Sequence, residues 1–279
     1  MAPRKTKKAF VQQEKIRVMD LLSRKLHEHA GRHGPVMLMY HAVRQDNSTP
    51  AWPWAVSMRQ FRSQLDFLVD EGYAAPTMAQ LVATPDAWTG RTVVITFDDG
   101  YVDNFAACDE LEKRGLRASW FIVAGAIGRE PHWPEDGRPA GRLLDAAELR
   151  AMHGRGFDIG SHTLNHLRLP ALDEATLKVE LGVSRQVLED TLGAPVGSFA
   201  YPYGVWDERC AKAVAAAGYA AACTTRTGWA LRDNDPYRLR RLSVFNDDTV
   251  SSLARKLYLG DNAVAWGDLA RYALRRFVG

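Results

Sequence analysis

Seven short runs of four to seven residues, most of them strongly apolar, recur along the chain at 34–40, 92–97, 118–123, 157–160, 196–201, 219–224 and 241–245. The run TVVITF at 92–97 is β-branched and shows no polar alternation, which marks a strand covered on both faces. Between the runs, apolar residues repeat at helical spacing. Met58, Phe61, Leu65 and Leu68 form one such stripe, stopped by Gly72. Further helices are expected over 103–114, from Asp145 with its capping-box partner Glu148 to the glycines of HGRG, and over 173–192 and 207–217. A polar loop with proline and tryptophan occupies 46–54. Strand–helix alternation with short linkers predicts a parallel sheet. The number of units favours a barrel or partial barrel over two domains.

The ends read differently. Residues 9–30 place Val11, Ile16, Met19, Leu22 and Leu26 near helical spacing but are broken by charges throughout. That pattern predicts an amphipathic helix and lacks the apolar core of an ordinary secretory signal. The C-terminal WGDLARYALRRFVG sets Trp266, Leu269, Tyr272, Ala273 and Phe277 among arginines. Each segment suits either packing on the barrel or loose attachment to a membrane surface. The expected organisation is a basic extension over 1–33, a barrel over 34–250 and a helical segment over 251–279.

Composition narrows the classes. With 279 residues, 46% hydrophobic and 25% charged, the chain can bury a sizeable core and is not a disordered, collagenous or coiled-coil chain. No apolar run approaches the ~18–20 residues of a membrane-spanning helix. A net charge of +3 gives no reason to expect nucleic acid. Cys108, Cys210 and Cys223 lie far apart without CxxC spacing, which argues against a disulfide framework and a cysteine-rich zinc site.

In such barrels, chemistry gathers at the C-terminal ends of strands. TVVITF runs into Asp98-Asp99-Gly100. Two carboxylates at the mouth of an apolar strand need a charge partner or a metal, although the pair also suits a helix cap. One can hold a metal while the other faces a water. The fourth run leads into Ser161-His162-Thr163-Leu164-Asn165-His166. Histidines at i and i+4 reach one point, and with Asp99 they make a two-histidine, one-carboxylate set with open positions. Alone, such a histidine pair is also a common surface feature. Tyr201-Pro202-Tyr203-Gly204 forms an unusual turn able to aim a backbone N–H, or a plain strand-end turn. His41 follows the first strand, at the same predicted end as the others.

TFDDG, SHTxxH and YPYG, in that order and each after a strand, resemble the polysaccharide deacetylases, carbohydrate esterase family four. LMYHAV and MRQFRSQLDFLVDEGY resemble one branch, the poly-N-acetylglucosamine-type deacetylases, and the likeness runs from about Val36 to Asn246. The resemblance implies a distorted (β/α)7 barrel and metal-dependent hydrolysis of a sugar N-acetyl group. It implies Asp98 as general base and Asp99, His162 and His166 as ligands of one divalent ion, zinc foremost, with cobalt, nickel, iron and manganese as alternatives. It also implies Tyr203 as backbone donor to the oxyanion. Motif order in this branch is circularly permuted, so His41 takes the general-acid role. One departure stands out. Much of the family has arginine where this chain has Ala200, and that arginine pairs with the base; Arg241 is the candidate replacement. Trp52, Trp54, Trp133 and Trp206 lie in or beside loops and offer faces for sugar rings, or simply pack; Trp54 and Trp206 are taken with Tyr203 as substrate-binding.

The expected partner is an N-acetylated carbohydrate, with peripheral membrane contact and without nucleic acid. Alternatives are a deformylase or other amidohydrolase on the same scaffold, and a non-catalytic glycan-binding relative. Most relatives act outside the cytoplasm. Lacking a recognisable signal, this chain is expected in the cytoplasm at the inner membrane face, acting on glycan or glycolipid precursors.

Overall fold

In the computed structural model, which describes residues 19–269, all seven expected runs become strands of one parallel sheet. They are β1 (Val36–Tyr40), β4 (Val93–Phe97), β5 (Ala118–Ile122), β6 (Asp158–Ser161), β7 (Ser198–Ala200), β8 (Ala221–Cys223) and β9 (Leu242–Ser243). The strand order is β8-β7-β6-β5-β4-β1-β9. The last three are shorter than their apolar runs. Pro202 has no N–H for a ladder, and Arg241 gives its own N–H to Arg226 O rather than to β1.

Alternation along each strand sorts side chains into two layers. Val36, Leu38, Tyr40, Val93, Ile95 and Phe97 join the outer core, under the helices. Met37, Val94, Phe121, Ala200, Cys223 and Leu239 form the inner cluster, capped by Met78 and Leu81. The next inward positions after Met39 and Thr96 are His41 and Asp98. The pleat itself therefore delivers both to the barrel mouth. In the outer layer Phe97 stacks on Trp120 at 4.6 Å, and Trp120 meets Phe157 edge-on at 5.1 Å.

The helices are α1 (Leu21–His27), α2 (Met58–Asp70), α3 (Met78–Ala83), α4 (Asn104–Glu112), α5 (Ala146–Gly154), α6 (Glu174–Leu192), α7 (Glu208–Ala216) and α8 (Val250–Leu259). The capping box at Asp145 and Glu148 forms as expected, and Gly193 ends α6 in the left-handed conformation. Two features were not expected. The loop after β1 carries a small parallel pair, β2 (Ala42–Arg44) with β3 (Ala55–Ser57). Three residues are too few to show a period. Helix α3 is a single short turn-and-a-half, recognisable only by its Thr77–Gln80 capping box.

The N-terminal helix also differs from its expected face. Its part before residue 19 lies outside the described residues, as do Tyr272, Ala273 and Phe277. Within α1, Ser23 and His27 are buried, while Leu22 is 61% exposed. Polar contacts decide this. Arg255 of α8 donates to Ser23 Oγ at 2.6 Å, and His27 Nε2 lies 2.8 Å from Tyr73 Oη. Among the described residues, no helix is long and apolar enough to cross a membrane.

The two edges of the sheet meet through one run, residues 239–243. Leu239 bridges to Cys223 of β8, with Thr224 N donating to Leu239 O at 2.8 Å. Leu242 and Ser243 then pair with Leu38 and Met39 of β1. Arg241 sits between these two pairings and points inward. Its Nη1 and Nη2 donate to Asp98 Oδ1 and Oδ2 at 2.6 and 2.8 Å, and its Nε donates to Thr224 O at 2.9 Å.

Removing one partner of a buried pair leaves the other charge uncompensated. Arg241→Ala should lower unfolding stability by about 3–5 kcal/mol in denaturant titration. Arg241→Lys should recover only part of this, because one ammonium cannot span both oxygens. His27 gives a pH test. Burial, with the charge of Arg91 adding to it, pulls its pKa down to about 4. The unfolded chain takes up that proton near pH 6.5. Stability should therefore fall as pH drops from about 6.5 to about 4, and His27→Gln should flatten that part of the melting-temperature profile.

Candidate active site

The polar residues that follow the strands converge on one cavity of about 230 Å³, lined by Met39, His41, Trp54, Asp98, Asp99, Glu135, His162, His166, Tyr203, Gly204 and Thr225. Backbone conformation aims them. Five described non-glycine residues have positive φ, and four of them are Asp99, Thr163, His166 and Tyr203. Such backbone costs ~1–3 kcal/mol per residue and persists only where its surroundings enforce it. Gly100, also at positive φ, lets the chain turn away from Asp99; a Cβ there would come within 2.8 Å of Ile122 Cδ1.

Asp99, His162 and His166 offer donor atoms that lie within 4.8 Å of one another, all buried. Asp99 Oδ1 is 3.6 Å from His162 Nε2 and 3.4 Å from His166 Nε2. His162 Nδ1 donates to Ala200 O at 2.8 Å, which leaves Nε2 with a lone pair toward the cavity. Burial, followed by the charges of Asp98 and Glu135, pushes Asp99 well above the ordinary carboxylate range. Burial above all pulls His166 down to about 2. A costly carboxylate beside two neutral imidazoles is a donor set that fits a divalent cation.

The loop bearing the histidines is shaped from beneath by Glu180 of α6. Its Oε2 accepts from Leu164 N at 3.1 Å and Asn165 N at 2.9 Å, and Oε1 accepts from Asn165 Nδ2 at 2.6 Å. His166 N donates to Thr163 Oγ1 at 2.9 Å. Sequence reasoning missed Glu180. Its signal is a charge on the stripe of Leu177, Leu181, Ser184 and Leu188, all buried in α6.

Asp98 stands beside this trio. Burial pushes its pKa up, but the charge of Arg241 and its hydrogen bonds outweigh that and hold it at about 2. Arg241, the residue nominated to pair with Asp98, does pair with it in the fold. His41 lies 5.1 Å from the Trp54 ring and 6.0 Å from the Trp52 ring. Its Nδ1 is buried without a partner, and its peptide oxygen accepts from Asn104 Nδ2 at 2.8 Å. Burial, opposed by Asp98, pulls its pKa down to about 4. His41 rests neutral at neutral pH. A general acid must carry a proton when it acts, so His41 would have to acquire one during turnover.

Tyr203 has φ 58° and ψ 6°, and its ring packs on His166 at 4.6 Å beneath the Arg168 guanidinium. The turn is tight: a Cβ at Gly204 would fall 2.0 Å from Thr225 Oγ1. Trp54 lines the cavity, and buried Trp133 stacks on His166 at 4.5 Å. Trp206 is not among the lining residues; its ring packs against Tyr201 and the Arg238 guanidinium. Glu135 does line the cavity and was not singled out, because the loop that carries it has no period to read.

Comparison with known proteins bears on the family and the fold. A family model described as polysaccharide deacetylase matches residues 87–222. YxkH of Bacillus subtilis (strain 168), which carries a polysaccharide deacetylase name, is 32% identical over 212 residues, covering 75% of this chain and 70% of that protein. The poly-β-1,6-N-acetyl-D-glucosamine N-deacetylase of Staphylococcus aureus (strain N315) is 24% identical over 242 residues, 78% of this chain and 81% of that one. Among solved structures, Streptococcus pyogenes deacetylase PplD in complex with acetate matches with a TM-score of 0.70 at 22% identity, over 80% of this chain and 97% of that one. IcaB from Ammonifex degensii matches with a TM-score of 0.66 at 24% identity, over 81% and 97%. These two likenesses show the shared fold; the YxkH match shows that this chain belongs to the polysaccharide deacetylase family.

Proposed function

We propose that the protein is a metal-dependent hydrolase that removes N-acetyl groups from amino sugars of a glycan or glycolipid precursor, releasing acetate. One observation carries the reading: a single cavity is lined by the donor trio, an arginine-paired carboxylate and a histidine with an unpartnered nitrogen. A divalent ion on Asp99, His162 and His166, zinc foremost, would polarise the acetyl carbonyl and acidify a bound water.

The chain's own groups do the rest. Asp98, kept ionised by Arg241, accepts the proton of the attacking water. Its low pKa makes it a weak base, matched to a water already acidified. The departing amine needs one proton, and His41 is the donor. Because His41 rests neutral, it must gain a proton during turnover, and the one taken from water balances the one the nitrogen needs. The Tyr203 N–H is the donor to the developing oxyanion; one such donor is worth roughly 3–4 kcal/mol. Trp54 offers its face to the sugar ring.

Acetate release from an N-acetylated glucosamine oligomer tests the reading. Metal-loaded protein should turn over and chelator-treated protein should not; stoichiometric zinc with no acetate from any N-acetylated sugar would overturn it. His166→Ala should lose both metal and turnover while remaining folded. Asp98→Asn should keep metal and lose turnover by about 10²–10⁴-fold. His41→Ala should keep metal, slow the amide strongly and spare an activated ester, whose leaving group needs no proton. Equal losses on both substrates would return His41 to a packing role.

A further inference from the structure

The cavity holds a third carboxylate that neither the ligand set nor the base requires. Glu135 stands on the loop between β5 and α5 and lines the cavity with Asp98 and Asp99. The loop around it is fastened. Arg138 Nη2 donates to Pro131 O at 2.7 Å, Nη1 donates to Trp133 O, and the guanidinium lies 5.6 Å over the Trp133 ring. That ring stacks on His166 at 4.5 Å with 28° between planes. Glu135 falls inside the 131–138 stretch closed by these bonds. The Arg138 guanidinium is bound to the loop's own carbonyls, and its charge also acts on Glu135 and Asp99.

The charges of the lining give this position a meaning. Arg241 cancels Asp98. A divalent ion on Asp99 and two neutral imidazoles leaves one positive charge. Arg138 adds a second beside it, and Glu135 takes one away. Without it, the site would carry one more positive charge, attract anions more strongly and retain acetate longer.

We propose that Glu135 is the specificity-determining residue of this site: it admits uncharged amino sugars and turns away those bearing a carboxylate or phosphate beside the acetamide. The inference rests on the deacetylase reading above. Specificity of this kind is built from repulsion as well as attraction.

Glu135→Gln keeps the shape and removes the charge. The ratio of kcat/KM for a neutral N-acetylglucosamine oligomer to that for an oligomer with a carboxylate on the acetylated sugar should fall about tenfold, about 1.4 kcal/mol. Both substrates use the same active molecules, so partial misfolding cannot move this ratio. A ratio unchanged within about twofold overturns the inference. A second measurement needs no turnover. Acetate is titrated calorimetrically into parent and variant, each with and without zinc. With zinc, the variant should bind acetate about tenfold more tightly; equal affinity overturns the inference. If the parent releases no acetate from any sugar while the acetate shift is present, the deacetylase reading falls and the charge role of Glu135 stands.

Discussion

The site depends on a charge pair sealed inside the barrel. Arg241 is fully buried and Asp98 nearly so. Burying two charges is repaid only when their geometry is close to ideal and the remaining donors are satisfied. Both conditions hold. The guanidinium grips both carboxylate oxygens, donates to Thr96 Oγ1 and Thr224 O, and lies 5.6 Å over the Phe121 ring. Asp98 thereby has one position and one ionisation state. Ala200 offers no charged side chain, but its carbonyl orients His162. The guanidinium comes from the closing strand and the orienting carbonyl from the end of β7.

A second constraint is conformational. Asp99, Thr163, His166 and Tyr203 are held in a backbone region that L-residues avoid. None of these turns is self-supporting. Glu180 organises the histidine loop through three hydrogen bonds, and Gly125 allows Leu164 to approach so closely that a Cβ would lie 2.5 Å from its carbonyl oxygen. The donor trio is thus placed by residues that never reach the cavity. A preformed set of this kind has little reorganisation left to undergo when charge develops.

Much of this was legible in the sequence because the pleat has a fixed period. Once TVVITF is a strand with Thr96 inside, Asp98 must face inward too. The same logic carries His41 from Met39. Arg241 could be nominated from the missing arginine at Ala200, although its bidentate grip required the folded seam. What stayed hidden lacks periodicity or acts at long range. Glu135 sits in an irregular loop, and Glu180 reads as one more charge on a long helix until its partners are known. The buried face of the N-terminal segment keeps Met19 and part of Leu26 from the expected stripe, but hydrogen bonds to Arg255 and Tyr73 turn Ser23 and His27 inward and leave Leu22 exposed. Trp206 illustrates the limit of reading aromatics near a motif. It follows YPYG closely, but the turn at Tyr203 carries it away from the mouth.

The seam has a kinetic meaning as well. β9 pairs over two residues only, and a single bridge joins Leu239 to β8. Short, sparsely paired segments open locally with less free energy than the whole fold requires. Here such an opening would withdraw Arg241 from Asp98 while the remaining strands stayed assembled. The lifetime of the armed state is therefore set by breathing of this one run. Amide exchange along residues 239–244 would run ahead of exchange in β4 and β5, and heat inactivation would precede global melting.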